Sequence, residues 1–371
     1  MLSLRKNFGR VKLFTRSIST INLPEFDIKE TVYERNDYKL NKSNNHLINK
    51  TIGIIGYGPQ GRSQSLNLRD NQFNVQIGVR EGPSYYEAIK DGWIPNKNLF
   101  SIPEAVDNCD YISYLLSDAG QIKQWEQVKP YLTTNKTLCF SHGFGVVYNQ
   151  NTNIIPPDDI DVVLVAPKGA GMTVRDKFLE GKGINSSYAI HQDYTGKAKD
   201  NSLFYAFGIG SGYVFETTFE KEVYSDLLGE RCVLMGLIQG AFLAQYNVLR
   251  KNGHSASEAY NETVEEALVS LYPLIENKGM DWMYENCSTT AQRGAIDWAP
   301  KFEKCLTHLI QECYEEVKNG SEARRVIEAN SDPDYREKLD HELKEIKEQE
   351  LWQVASIIRK LRASYPKRRI N

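Results

Sequence analysis

TIGIIGYGPQG, residues 51–61, is an apolar β-type run that ends directly in a G-x-G-x-x-G. QGRSQSLNLRD (60–70) follows with a helical pattern. Alone the glycine pattern is weak. Set between a strand and a helix, it has the context in which glycines let the chain turn tightly and approach a pyrophosphate at a helix N-terminus. Gly56, Tyr57, Gly58, Gln60 and Gly61 are therefore candidate cofactor-binding residues. Pro59 has no N–H to offer a phosphate and instead suits the first position of the helix.

Working outward, short apolar segments closed by turn signals recur at NVQIGVR (74–80), YISYLLS (111–117), KTLCFSHG (136–143), DVVLVAPKG (161–169) and SSYAIHQ (186–192). Helical stretches separate them. That alternation predicts an α/β, Rossmann-like, doubly wound parallel sheet. In such a sheet the strand C-termini share one edge, where ligands bind. Gly56, Arg80, Ser117, His142 and Lys168 fall on it. Arg80 and Ser84 offer partners for a 2′-phosphate, which favours NADPH; Glu81 is an acid in the same place and argues the other way. His142 is placed to move a proton near neutral pH. A lone loop histidine is more often structural, and Lys168 is equally readable as a solvated lysine.

After about residue 216 the strand pattern stops and helical patterns take over: 216–250, 257–275, 300–318 and 334–361, separated by Pro273, Gly279 and Pro300. VYSDLLGERCVLMG (223–236) stacks Asp226 and Glu230 on one helix face, with Glu222 one turn earlier. The run that follows is apolar nearly all round and reads as buried. EAYNETVEEALVSLYP (258–273) repeats the acidic spacing with Glu262 and Glu266. This second pair lies opposite the stripe of Tyr260, Val264, Ala267, Leu268 and Leu271, so within one domain it is a solvated face. It becomes a site only if a second subunit covers it. Carboxylate oxygens are hard ligands suited to Mg²⁺, and two such pairs suffice for two ions.

Bulk properties bound the rest. The chain has 371 residues, 25% charged and 41% hydrophobic, enough for about two domains. No unbroken run of 18 apolar residues occurs, so no membrane span is expected. The six cysteines form no CxxC and no His/Cys cluster, which argues for reduced thiols and against zinc. Residues 1–20 carry five basic residues, no acid and an amphipathic apolar spacing, the pattern of a mitochondrial transit peptide. Without those five the formal charge falls from −3 to −8, which speaks against nucleic-acid binding. The expected organisation is a transit peptide (1–20), an extended arm (21–45), an NADP-binding domain (46–215), a helical domain (216–362) and a basic tail (363–371).

Taken together, GYGPQG, IGVR, SHGFG, VAPKG, SDLLGER, NETVEEA and CSTTAQRGAIDW resemble ketol-acid reductoisomerase, most closely its short fungal mitochondrial form. The resemblance spans roughly residues 45–362. It implies conversion of 2-acetolactate to 2,3-dihydroxyisovalerate, and of 2-aceto-2-hydroxybutyrate to its ethyl homologue, in branched-chain amino-acid synthesis. An alkyl shift comes first and hydride transfer to the new ketone second, with NADPH and two Mg²⁺ per site. It further implies Asp226, Glu230, Glu262 and Glu266 as metal ligands, the second pair from a partner subunit. Ser288 would hold the substrate carboxylate, and Glu222, His142 and Lys168 would be the polar groups around the metals, with the proton route among them open. A knotted, dimer-forming all-α domain, a homodimer or larger oligomer, and the mitochondrial matrix complete the expectation. The chain departs from the family pattern at Pro59, Glu81, Gly145, Val146 and Met172.

Overall fold

The computed structural model describes residues 19–35 and 46–363. Most of the expected transit peptide, part of the arm and nearly all of the basic tail lie outside the described residues. The chain divides into two compact units, Met1–Val223 and Tyr224–Asn371.

The first unit is built on a ten-stranded sheet. Its strands are β1 (Ser19–Leu23), β2 (Ile28–Glu34), β3 (Thr51–Ile55), β4 (Asn74–Gly78), β5 (Leu99–Phe100), β6 (Tyr111–Tyr114), β7 (Thr137–Phe140), β8 (Asp161–Pro167), β9 (Ser186–Gln192) and β10 (Tyr213–Glu216). The order is β1-β2-β10-β9-β8-β7-β6-β3-β4-β5. From β5 to β8 every pairing is parallel. Strand side chains alternate between faces, and here both faces are apolar. Ile52, Ile54, Val163 and Val165 enter one core, and Ile55, Leu138, Val162 and Leu164 the other. Helices α1 (Pro59–Asp70), α2 (Pro83–Lys90), α3 (Ile102–Asn108), α4 (Asp118–Val128), α5 (Phe144–Val147), α6 (Asn149–Thr152), α7 (Gly171–Leu179) and α8 (Ala198–Gly208) complete the unit.

The doubly wound α/β expectation holds for this parallel half. Beyond β8 the sheet is mixed. β9 runs antiparallel to β8, β10 parallel to β9, and β2 antiparallel to β10. The reason lies in α7, which does not cross the sheet. A Cβ on Gly171 would meet the Pro59 carbonyl carbon at 2.4 Å, so α7 packs against the start of α1. The chain then re-enters at the edge it left, pairing Ser186 with Pro167. The expected extended arm is instead a hairpin, β1–β2, added to the sheet. Only Val32 and Tyr33 of β2 are buried, so the segment shows no period of two.

The second unit is helical. It comprises most of α9 (Phe219–Arg231), then α10 (Gly236–Lys251), α11 (Ala256–Tyr260), α12 (Tyr272–Lys278), α13 (Met280–Glu285), α14 (Thr289–Lys318), α15 (Ser321–Ser331), α16 (Tyr335–Glu348) and α17 (Glu350–Ala363). Between α11 and α12 the backbone is π-helical over Asn261–Glu265 and Ala267–Leu271. Its core gathers Phe242, Tyr246, Ala259, Tyr260, Val264, Leu351 and Ala355.

Three expectations change here. The single helix over 216–250 is interrupted at Cys232–Met235, where Gly236 closes so tightly that a Cβ would lie 2.1 Å from the Arg231 carbonyl oxygen. Pro300 does not separate helices but sits inside α14. The apolar run after Arg231 is only partly buried in the single chain: Cys232, Phe242 and Tyr246 are buried, but Val233, Leu234 and Met235 are each more than 60% exposed. Phe219–Lys251 also contains an 18-residue window of mean hydropathy 1.5, long and apolar enough by composition alone to cross a membrane.

Candidate active site

The three glycines of residues 56–61 have three different jobs. Gly56 takes φ +103°, and a Cβ there would strike the Leu115 carbonyl oxygen at 2.8 Å. A Cβ on Gly61 would lie 2.1 Å from the Gly56 carbonyl oxygen, so α1 can leave β3 only with glycine there. Around Gly58 a Cβ would meet nothing within 4 Å. This is the open approach a pyrophosphate needs at the N-terminus of α1, and Pro59 occupies the first helical turn. The loop also sits where the strand order reverses, with β3 between β4 and β6. These residues fit a dinucleotide.

The loop is braced from outside. Arg62 forks onto Asp91 with Nε–Oδ2 at 2.6 Å and Nη2–Oδ1 at 2.9 Å. The Tyr57 hydroxyl donates to Asp91 Oδ2 at 2.8 Å and accepts from Trp93 Nε1 at 2.8 Å. Arg62 above all, then Tyr57, holds the Asp91 carboxyl below the usual range against the opposing effect of burial. Sequence reasoning missed this network because Asp91 stands far from the glycines along the chain. Tyr57 itself is buried. Gln60 reaches across to donate to the Gly169 carbonyl at 3.1 Å and accepts from Gln64. Arg80 is exposed just past β4, and Ser84 lies in the first turn of α2. Glu81 accepts a hydrogen bond from the Tyr86 hydroxyl at 3.0 Å. Ser117 caps α4, accepting from Gly120 N–H.

Further along the same edge, His142 follows β7 and Lys168 follows β8, and both converge on Glu222 in α9. Lys168 Nζ is 2.8 Å from Glu222 Oε1, and His142 Nδ1 is 3.3 Å from Oε2. The Glu222 side chain is only 1% exposed. Gly143 makes the approach possible: a Cβ there would press on Phe219 at 2.8 Å and Val223 at 3.1 Å, in the turn that carries Glu222. Burial opposes ionisation of Glu222, but His142 and Lys168 outweigh it and hold the carboxyl below its usual range.

α9 is unbroken through residues 223 and 224, so the next turn places Asp226 on the stripe of Glu222. Glu222 and Asp226 thus put two carboxylates one turn apart on one face of α9. Two hard carboxylates at this spacing fit Mg²⁺ better than a soft metal. Of the four acids expected to bind metal, Asp226 is the one that follows Glu222 by a single turn of α9. Glu230 is exposed one turn on. Glu262 is exposed on the first π-helical stretch and Glu266 between the two stretches, while Glu265 pairs with Arg362 at 3.1 Å. π-helical turns are uncommon and concentrate at functional sites. Ser288 caps α14, accepting from Ala291 N–H at 3.2 Å.

Comparison with known proteins then decides between this and other dinucleotide enzymes. Residues 46–214 match the acetohydroxy acid isomeroreductase NADPH-binding domain, and residues 219–364 the ketol-acid reductoisomerase C-terminal domain. The chain belongs to the ketol-acid reductoisomerase family. It is 55% identical to the mitochondrial ketol-acid reductoisomerase of Saccharomyces cerevisiae, covering 96% of this chain and 90% of that one. It is 53% identical to a ketol-acid reductoisomerase (NAD(+)) of Desulfosudis oleivorans, covering 92% and 97%. An NADH-preferring ketol-acid reductoisomerase from an uncultured archaeon has a similar fold, with TM-score 0.79 and 31% identity over 89% of this chain and 98% of that one. Membership in the family makes this chain an oxidoreductase and isomerase of ketol acids. The relatives differ in which nicotinamide nucleotide their names carry.

Proposed function

We propose that this protein is an NADPH- and Mg²⁺-dependent ketol-acid reductoisomerase. In this reading it acts on 2-acetolactate and 2-aceto-2-hydroxybutyrate in the mitochondrial matrix, in valine and isoleucine synthesis. The observation that carries the reading is the buried Glu222, bound by His142 and Lys168 on the strand edge that also bears the glycine loop, with Asp226 one turn further along the same helix. NADPH over NADH is supported by Arg80 just past β4 and Ser84 in the first turn of α2. The opposing acid Glu81 is engaged by Tyr86. The mitochondrial location rests on the names of the relatives and on the basic, acid-free start of the sequence.

Asp226, Glu230, Glu262 and Glu266 are the residues that would hold Mg²⁺. With two ions and a dihydronicotinamide bound, the chemistry supplied is Lewis-acid polarisation of the substrate's hydroxyl and carbonyl oxygens and a hydride. The chain's own residues do the rest. Lys168 occupies Glu222 Oε1 and keeps the buried carboxylate charged. Glu222 Oε2 faces His142 Nδ1, and this pair would take and hold the proton that leaves the substrate's C2 hydroxyl. Ser288 would hold the substrate carboxylate. The exposed Glu262 and Glu266, together with the uncovered apolar side chains of the second unit, support a homodimer in which each subunit completes the other's site.

The test is NADPH binding and turnover in Asp226→Asn. The variant should bind NADPH as the wild type does and lose both the alkyl shift and the reduction. Retained turnover of 2-acetolactate would refute the metal role.

A further inference from the structure

Gln64 lies in α1, one turn beyond Gln60 of the glycine loop, and is fully buried. A buried amide carries two protons and an acceptor oxygen, and any of them left unmatched costs stability. Here all are matched. Its Nε2 donates to Gln60 Oε1 at 2.9 Å and to Ser141 Oγ at 3.0 Å, and its Oε1 accepts from the Tyr205 hydroxyl at 2.8 Å. Backbone carbonyls, which only accept, force these directions. Ser141 Oγ gives its proton to the Val165 carbonyl at 2.9 Å, so it must accept from Gln64. Gln60 turns its Nε2 to the Gly169 carbonyl at 3.1 Å, so its Oε1 faces Gln64. Both arms end beside the groups on Glu222. Ser141 immediately precedes His142, and Gly169 immediately follows Lys168. His142 Nδ1 and Lys168 Nζ lie 3.3 and 2.8 Å from the two Glu222 oxygens.

We propose that Gln64 is a positioning residue: through Ser141 and Gln60 its amide fixes where His142 and Lys168 stand against Glu222, and ties their placement to the helix that opens from the glycine loop. Gln64 is itself fully buried and touches no reacting group. It acts through the chain neighbours of the two residues it places. Displacing a catalytic group by about 1 Å costs on the order of 100-fold in rate, and losing two hydrogen bonds that carry a position acts in the same direction. The Tyr205 bond leaves from the other atom of the amide. It runs to α8, where the Tyr205 ring is stacked on Tyr111 with centroids 4.9 Å apart. Cutting it leaves both arms toward Glu222 in place. This inference rests on the reading of Glu222 and His142 as the pair that holds the substrate's proton.

The test compares Gln64→Met, which keeps the side chain's length and removes both donors, with Tyr205→Phe, in the purified full-length protein. Urea unfolding, NADPH affinity and kcat with 2-acetolactate and Mg²⁺ are measured for each. Both variants leave a buried polar atom unmatched, so both should lower the urea midpoint. Gln64→Met should lower kcat about tenfold or more, with NADPH affinity within about twofold of wild type. Tyr205→Phe should keep kcat within about twofold. Equal losses of kcat in the two variants, a parallel loss of NADPH affinity in Gln64→Met, or unchanged kcat there would make Gln64 merely structural and overturn the inference. Ser141→Ala should lower kcat in its own right. Added to Gln64→Met it should cost nothing further, because one arm is then cut twice; losses that multiply count against the inference. If Gln64→Met fails to fold, Ser141→Ala decides: lowered kcat with unchanged NADPH affinity supports the inference, and unchanged kcat overturns it. Near-wild-type kcat in Glu222→Gln removes the reading of the pair. Loss of kcat there, with unchanged kcat in Gln64→Met, overturns this inference alone.

Discussion

At the scale of single residues, Glu222 is the buried group on which His142 and Lys168 converge. It is a buried acid kept charged by one ammonium and one imidazole. Glu222→Gln should lower kcat by about 10²–10⁴-fold, the range for a lost proton-transfer group, while NADPH affinity measured by fluorescence titration stays unchanged. A variant with near-wild-type kcat would remove Glu222 from the chemistry. Asp91 makes a separate prediction about pH. Its folded pKa is depressed, chiefly by Arg62. Stability from the Arg62–Asp91 pair is therefore present above the unfolded aspartate pKa of about 3.9, and is lost as pH falls through the lower folded value. Urea midpoints should fall between neutral pH and pH of about 3 more steeply in wild type than in Asp91→Asn. Parallel pH profiles would contradict this. At this scale the sequence is most legible where chemistry is local. The glycines of residues 56–61 announce their conformations, whereas Asp91 acts through Tyr57 and Arg62, far along the chain, and leaves no local pattern.

At the scale of elements, close approach decides the geometry. Gly61 lets α1 start against the end of β3, with only 2.1 Å available for a Cβ before the Gly56 carbonyl oxygen. Gly61→Ala must push helix and strand apart. It should cost about 1–3 kcal/mol in urea unfolding and weaken NADPH binding in titration. Unchanged affinity would mean the loop does not hold the nucleotide. The elements that sequence reading finds are those with a strong period. β3, β6, β7 and β8 are buried on both faces, β4 alternates Val75 and Ile77 with polar residues, and all five stand out. β1 and β2 do not, because burial reaches only Val32 and Tyr33. The antiparallel turn to β9 is equally hidden, since it depends on Gly171 seating α7 against Pro59.

At the scale of the whole molecule, the helical unit cannot cover itself. Val233, Leu234, Met235, Val248, Trp298 and Phe302 are exposed in the single chain. The composition of residues 232–246 reads as buried, yet one chain alone buries Cys232, Phe242 and Tyr246 and leaves Val233, Leu234 and Met235 uncovered. A second copy of the chain is the proposed cover for these side chains. Sedimentation should give a dimer or larger species, and Tm should rise with protein concentration. A monomer at micromolar concentration would contradict shared sites.

The most direct measurement is NADPH oxidation by the purified protein with 2-acetolactate, with and without Mg²⁺, in wild type and Asp226→Asn. Oxidation is expected only in the wild type, and only when substrate and Mg²⁺ are both present. Oxidation at the wild-type rate without Mg²⁺, or in Asp226→Asn, would contradict a metal-dependent site built on Asp226.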